Sequence, residues 1–556
     1  MPVITVDIDD LHGLLGASIE KETLLERIPM LGADIERVDG TELSIEFFPD
    51  RPDLLSVEGV ARALRSFLGI QPGMTRYDVA PPQVKLHVDG SVKGVRPYIG
   101  GAVVRDVAMS EELVASLMEM QEKLHLSVGK ERSKMAIGIH NLDAVTPPFT
   151  YRAVEPHEVS FIPLGTTREM DLAEILRSHD KGKKYAHLLQ EHDRYPVIFD
   201  QHDNVLSFPP VINGELTVVD LFTENLFIDV TGTSRQAVTT ALLIITAALA
   251  ERGGSLEQVT IVDDDSMATP DFTPGERAVS LDYVSRLLGR DMADSAVTAA
   301  EKMGLDARLD DDVLHVMVPA WRTDVLHDVD VVEDLAIGYG YNAFTAALPR
   351  SMTYGGCISH AALHETMVGL GFNEVATLSL SGAEEQFERM RLPPREHVAI
   401  DNPLSSRHSL VRVSLLPSLL EILMKNRHHD LPQQLYEVGQ VVEMGEVPCN
   451  RVMLAGVKIA ARAGFTECKS IVQAILRNLD IDASIVPAEQ PSFTGGRCAA
   501  VTCNDVRLGV FGEIHPGVIT AFDLEYPVIG FELSAEALTA ASQQEHDGGE
   551  RSQGSE

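Results

Sequence analysis

The chain has 556 residues, 44% of them hydrophobic, and is well past the length at which a single core stops growing, so roughly three to five domains are expected. Its formal net charge of -37 excludes non-specific attraction to nucleic acid. A polyanionic partner needs local basic patches, and a salt-adapted or acidic proteome explains the charge without reference to function.

The N-terminus, Met1 to Asp7, has neither a basic n-region nor an apolar h-region, so no signal peptide is expected. Residues 1 to 70 alternate a strand at Ile4–Ile8, a helix around Ile19–Met30, a strand at Leu43–Phe48 and a helix ending near Leu68, which reads as a compact α/β module. Gln71-Pro72-Gly73 and Ala80-Pro81-Pro82 break the pattern before a long mixed α/β segment. Within it, the turn-dense run Leu206 to Gly214, with adjacent prolines, is expected outside regular structure. The strand Asn225 to Thr233 that follows puts Asp229 and Thr231 on one face. These two residues suit a small polar ligand or a positioned water, or equally a turn that bonds its own backbone.

The longest apolar run, Ala241 to Ala250, is too short to span a bilayer, so a soluble, cytoplasmic protein without membrane contact is expected. Asp263-Asp264-Asp265, with Pro270 and Pro274 close behind, reads as a linker, and Pro349 to Gly356 as a second break. Beyond it, helices at Leu415–Lys425 and Cys468–Leu479 mix with strands at Ala499–Cys503 and Val528–Leu533, and from Ala541 the composition predicts disorder. The segments are therefore 1–75, 76–262, 270–345, 350–540 and the tail 541–556. Five cysteines (Cys357, Cys449, Cys468, Cys498 and Cys503) form no CxxC, so reduced thiols buried as small hydrophobes are expected.

Trp321-Arg322-Thr323-Asp324 precedes Asp330, Glu333 and Asp334, and a helix over Val325–Ile337 would project those last three acids from one face. Such like charges call for a metal, a basic partner or solvent over the face; hard oxygen ligands suit Mg²⁺ or Ca²⁺. Gly338-Tyr339-Gly340 follows the helix instead of opening one, so it reads as a helix-terminating turn and not a dinucleotide loop. Basic clusters stand at Lys130 to Lys134, Lys181 to Lys184 and Lys425 to Arg427, either as solvated faces or as contacts for an RNA backbone. No GxSxG elbow, HExxH or P-loop is present.

Six ordered motifs resemble one family over almost the entire chain. They are Arg51-Pro52-Asp53-Leu54-Leu55-Ser56-Val57-Glu58-Gly59, Ile137-Gly138-Ile139-His140-Asn141-Leu142-Asp143 with Phe161 to Gly165, Ser207 to Gly214, Trp321 to Asn342, Asn402 to Ser405 with Arg412 to Pro417, and Tyr436 to Gly439 with Phe511 to Pro516. The family is the β subunit of phenylalanine-tRNA ligase in its archaeal and eukaryotic form. The resemblance implies a multidomain α+β fold: an N-terminal α/β module, a mixed α/β editing domain, a small metal-bearing helical or winged-helix-like domain, and a class II synthetase-like antiparallel-sheet core that does not itself make the adenylate. It implies an α subunit partner in an α2β2 tetramer, phenylalanine tRNA, and ATP as substrate of the complex. Asp324, Asp330, Glu333 and Asp334 match the family's Mg²⁺ ligands, with a further ligand expected from α, although Asp334 stands where a second Glu is common. Ser207, Asp229 and Thr231 match polar residues of its editing pocket, where mischarged tyrosyl-tRNA is hydrolysed. The alternative is a free-standing RNA-binding or trans-editing protein with no ligase partner.

Overall fold

The structure, a computed structural model, describes residues 2–348, 355 and 359–542, so Cys357, most of the break at 349–356 and nearly all of the tail lie outside it. The chain divides into two compact units, residues 1–348 and 349–556.

The first unit opens with a three-stranded antiparallel sheet in the order Val3–Asp7, Glu42–Phe47, Ala33–Asp39. The strand Ala33–Asp39 escapes a reading by hydrophobic alternation because it is mostly exposed and carries four charged residues. The helix Val57–Phe67 follows, its N-terminus capped by Ser56, whose hydroxyl accepts the Gly59 N–H. Helix Arg235–Glu251 explains the long apolar run: nearly every residue from Ala237 to Leu249 is buried, so the run is an interior helix. Among the described residues no helix is long and apolar enough to cross a membrane. Arg252, just past this helix, ties the two helical layers together by bonding Glu58 at 2.7 Å and both carboxylate oxygens of Asp10 at 2.6 and 2.7 Å.

A ten-stranded sheet forms the body of this unit. Its strand Leu226–Gly232 is wholly buried and pairs antiparallel with Met135–Asn141 on one side and Tyr98–Arg105 on the other. Farther along, Val205–Phe208 pairs with Tyr195–Phe199 and with the short strand Ile212–Asn213. The Leu206 to Gly214 run is thus a hairpin and not irregular throughout: the two prolines occupy the turn, where their missing N–H groups cost no ladder bond. The predicted linker at Asp263–Asp265 is also a hairpin turn. It joins Ser255–Val262 to Ser266–Thr269, with Lys93 paired to Asp263 and Asp264, so part of the acidic charge is offset locally and the sheet continues past it. The unit closes with a three-stranded antiparallel sheet of Gly275–Ser280, Val313–Val318 and Asp306–Asp310, and helices Leu281–Leu288, Ala296–Lys302 and Asp328–Tyr339.

The second unit is built on a seven-stranded sheet, antiparallel except where Asn373–Glu374 meets Gln433–Glu443. Helix Leu416–Lys425 carries Pro417 in its first turn, where a missing N–H is tolerated, and packs on this sheet together with helix Phe465–Asn478. Cys468 and Cys498 are buried as expected, Cys503 is half-buried, and Cys449 is exposed at the first position of the strand Cys449–Ile459, which corrects the expectation for that residue.

Candidate functional site

Three polar residues from two strands converge on one cavity of about 290 Å³ in the first unit: Ser207, Asp229 and Thr231. Asp229 and Thr231 are two apart on Leu226–Gly232 and therefore point the same way. Ser207 reaches them from Val205–Phe208. All three are at most 2% exposed. The Ser207 hydroxyl has no hydrogen-bond partner, a cost of about 1–3 kcal/mol unless a ligand or water meets it.

Asp229 is held from behind. His140 Nε2 lies 2.8 Å from Asp229 Oδ2, and His140 Nδ1 lies 2.8 Å from Thr217 Oγ1, with the ring stacked on Phe227. When Thr217 donates to Nδ1, the neutral imidazole carries its proton on Nε2 and donates to the carboxylate; the chain of bonds is then consistent and leaves Asp229 Oδ1 for a ligand. Gly138 sits directly across the ladder from Asp229, and a Cβ there would stand 2.0 Å from Asp229 Oδ2 and 2.6 Å from His140 Nε2. Only glycine leaves room for this pair.

Thr231 rests on a buried cation. Arg96 Nε donates to Thr231 Oγ1 at 3.1 Å and Nη2 donates to the Thr231 carbonyl at 2.9 Å, while Nη1 donates to the Arg132 carbonyl at 3.1 Å. Burial pushes the Arg96 pKa down to about 10, so the group stays charged at neutral pH. Arg132 in turn donates to the carbonyls of Pro210 and Val211 at 3.1 and 3.0 Å, bonds Glu122 at 3.0 Å and lies over the Tyr185 ring. Burial works against the Glu122 carboxylate, but Lys181 and Arg132 outweigh it and hold its pKa below the ordinary value. By sequence Arg132 belongs to a basic cluster expected either as a solvated face or as a contact for an RNA backbone. It is 8% exposed and braces the Pro209–Pro210 turn, a role invisible locally because its partners lie more than 70 positions away. Beneath this layer His125 Nε2 accepts the Ile137 N–H at 2.9 Å, and burial, followed by Arg132, Arg96 and Lys181, drives its pKa well below normal.

His140, Thr217, Arg96 and Gly138 were not singled out as site residues from sequence. The one signal for His140 and Gly138 is their place in the Ile137-Gly138-Ile139-His140 motif; Arg96 and Thr217 carry none.

The acidic set after Trp321 is arranged differently from the sequence expectation. The helix begins at Asp328, three residues later than expected, and Gly340 ends it with φ 101°, as the glycine-turn reading required. Asp330 folds back on the N-terminus, where its Oδ2 accepts the backbone N–H groups of Leu326 and His327 at 2.7 and 2.6 Å. Glu333 is exposed, whereas Asp334 is buried and accepts from Arg322 Nη2 at 2.7 Å; Arg322 also binds Asp324, again at 2.7 Å. The three helix acids therefore sit in different surroundings: Asp330 on the helix N-terminus, Glu333 in solvent and Asp334 buried on Arg322. For Asp334 the positive charge is Arg322, which lines a small pocket together with Trp321 and Arg62. Among the described residues no group of three or more acidic, histidine or cysteine side chains converges to hold a metal ion. In this chain Asp324 and Asp334 are bonded to Arg322 and Asp330 to the backbone at the helix N-terminus, which leaves Glu333 as the exposed carboxylate of the four.

Comparison with known proteins places these features in a class. Residues 277–341 match the tRNA synthetase B5 domain, and residues 357–535 match the phenylalanyl tRNA synthetase beta chain CLM domain, so the class is that of aminoacyl-tRNA synthetase chains. The chain is 44% identical over 551 residues to the phenylalanine–tRNA ligase beta subunit of Methanosarcina barkeri, covering 98% of this chain and 100% of that one. It is 43% identical to the protein of the same name from Archaeoglobus fulgidus, over 97% of this chain and 99% of the relative. The crystal structure of an N-terminal fragment of the phenylalanyl-tRNA synthetase beta-subunit from Pyrococcus horikoshii is similar over 61% of this chain and 100% of the fragment, with 38% identity and a TM-score of 0.59. The chain belongs to the phenylalanine–tRNA ligase beta subunit family.

Proposed function

We propose that this chain works in the cytoplasm with an α subunit, as an α2β2 tetramer that attaches L-phenylalanine to phenylalanine tRNA using ATP, and that its cavity hydrolyses mischarged tyrosyl-tRNA. Near-full-length identity to beta subunits of that ligase supports the first part. The second part rests on one observation: Ser207, Asp229 and Thr231 meet in a buried cavity where the Ser207 hydroxyl lacks a partner. A cavity lined this way favours an amino acid that brings a hydroxyl, because the phenylalanine side chain would leave buried polar groups unpaired. No base is bonded to Ser207, so a water positioned by these groups is the attacking species, and Asp229, held by His140, is the group that orients substrate or water.

The second unit is assigned as a class II synthetase-like scaffold without adenylation chemistry. Its buried Arg412 is spent on Glu437 at 2.8 Å and on the Gln440 carbonyl, so this cation is not free for a nucleotide phosphate. The segment from Gly275 to Tyr339 is assigned as the helical, winged-helix-like module. Nothing in this function depends on the magnesium reading of its acidic residues.

The test is deacylation by the full-length chain. Tyrosyl-tRNA should be hydrolysed at least tenfold faster than phenylalanyl-tRNA, and Ser207→Ala should lose that preference. Equal rates on the two substrates would remove the editing assignment. Co-expression with the cognate α subunit should give a stable complex; a chain that edits but never co-purifies with α would instead support the free-standing trans-editing reading.

A further inference from the structure

Arg62, in the helix Val57–Phe67, is a buried cation without an ionic partner. It is 5% exposed, its guanidinium lies over the Trp321 ring at 4.8 Å, and Nη1 donates to Tyr77 Oη at 3.3 Å, while Nη2 has no hydrogen-bond partner. The acids around it are already taken. Asp53 bonds Arg51 at 2.9 Å, Glu251 bonds Arg65 and the Tyr77 hydroxyl, and Asp324 and Asp334 bond Arg322. Among the described residues no carboxylate forms an ion pair with Arg62. A guanidinium keeps its charge at any pH the protein meets, so folding leaves this buried charge without a counter-ion at bonding distance. The same residues surround a small pocket of about 20 Å³, with Arg51, Arg62, Arg322, Asp53, Ser66 and Thr75 in its wall.

We propose that this pocket binds one monatomic anion, chloride being the common one. Room of about 20 Å³ admits a single water-sized species, and a four-oxygen anion such as phosphate or sulfate does not fit. A water would complete the hydrogen bonding of Nη2 but leave the charge as it is. Three guanidinium residues and one carboxylate line the pocket, and that carboxylate, Asp53, is held by Arg51, so the lining carries surplus positive charge. The Thr75 hydroxyl is a further donor in the wall. In a chain of net charge -37 a free anion is repelled at long range, and salt screens that repulsion while leaving the short-range attraction of a buried cation largely intact. The site therefore fills as salt rises. Its wall is drawn from the helix Val57–Phe67, from Thr75 and from Met303 to Arg322, so the bound ion joins the N-terminal module to the closing module of the first unit.

The probe is chloride itself. The thermal midpoint of the full-length chain is followed as potassium chloride replaces potassium methanesulfonate, an anion too large for the pocket, at constant total salt, so that screening stays fixed. Above its dissociation constant, each tenfold rise in chloride should raise the midpoint by about 2 °C. Arg62→Met removes the unpaired cation, and Ala63→Leu fills the pocket while keeping every charge. Each should abolish the chloride response, the second variant serving if the first does not fold. Crystals grown in sodium bromide should show an anomalous peak beside Arg62 Nη2. A wild-type midpoint indifferent to the exchange, or a response retained in the folded variants, overturns the site, as does a water in place of the bromide peak. A bromide peak without a chloride-dependent midpoint means an adventitious ion only and equally overturns it.

Discussion

In Gly138→Ala the new Cβ would stand 2.0 Å from Asp229 Oδ2 and 2.6 Å from His140 Nε2. Relieving the first contact to about 3 Å requires the carboxylate to retreat by roughly 1 Å, and it cannot do so toward His140, whose Nε2 already lies 2.8 Å from Oδ2 and is itself pushed by the new Cβ. A displacement of about 1 Å in a positioned group typically lowers a rate about 100-fold, and overpacking a buried site costs about 1–3 kcal/mol of stability. Deacylation of tyrosyl-tRNA by the full-length variant should therefore fall about 100-fold. Phenylalanylation by the complex with α, which does not use this cavity, should be retained. Circular dichroism and thermal denaturation would establish that the variant is folded. A folded Gly138→Ala protein that deacylates tyrosyl-tRNA at the wild-type rate would refute the claim that the His140–Asp229 pair is what the cavity uses.

Three further outcomes are expected. His140→Leu leaves Asp229 Oδ2 and Thr217 Oγ1 without their ring partner, so stability should fall by about 1–3 kcal/mol and deacylation with it, while His140→Gln should recover part of both; equal loss in the two variants would contradict the relay. His125 is buried with its pKa depressed, so the unfolded chain binds a proton more readily than the folded one, and stability should drop as pH falls below about 6.5. Thermal denaturation at several pH values should show this acid sensitivity reduced in His125→Gln, and unchanged slopes would disprove it. Calorimetric titration of the chain alone with Mg²⁺ should show no saturable binding at the acidic helix, since Asp324 and Asp334 are both engaged by Arg322; binding abolished by Asp330→Ala would contradict this.

What could be read from the sequence was whatever depends on local spacing. Asp229 and Thr231 lie two apart on a strand, and alternation alone puts them on one face; the glycine after the acidic helix likewise announces its end. Ser207 joined them through motif resemblance, because nothing local says that a residue before a Pro-Pro turn meets a strand twenty positions on. The misreadings have a common cause. Arg132 stands among lysines and glutamates, and Asp334 among other acids, yet both are drawn inward, Arg132 by the carbonyls of Pro210 and Val211 and Asp334 by Arg322. Helical periodicity fixes where a side chain points around the axis but not how a buried cation redistributes the acids beside it. The Asp263–Asp265 run misled in the same way, since Lys93 pairs with it from 170 positions earlier.

The most direct test of the whole account is the accumulation of tyrosyl-tRNA by the ligase reconstituted from this chain and its α subunit, supplied with tyrosine, ATP and phenylalanine tRNA. The wild-type complex should keep tyrosyl-tRNA near background, and a complex carrying Asp229→Ala should accumulate it while charging phenylalanine normally. Equal, low levels of tyrosyl-tRNA in both complexes would show that the cavity around Ser207, Asp229 and Thr231 is not where the product is cleared.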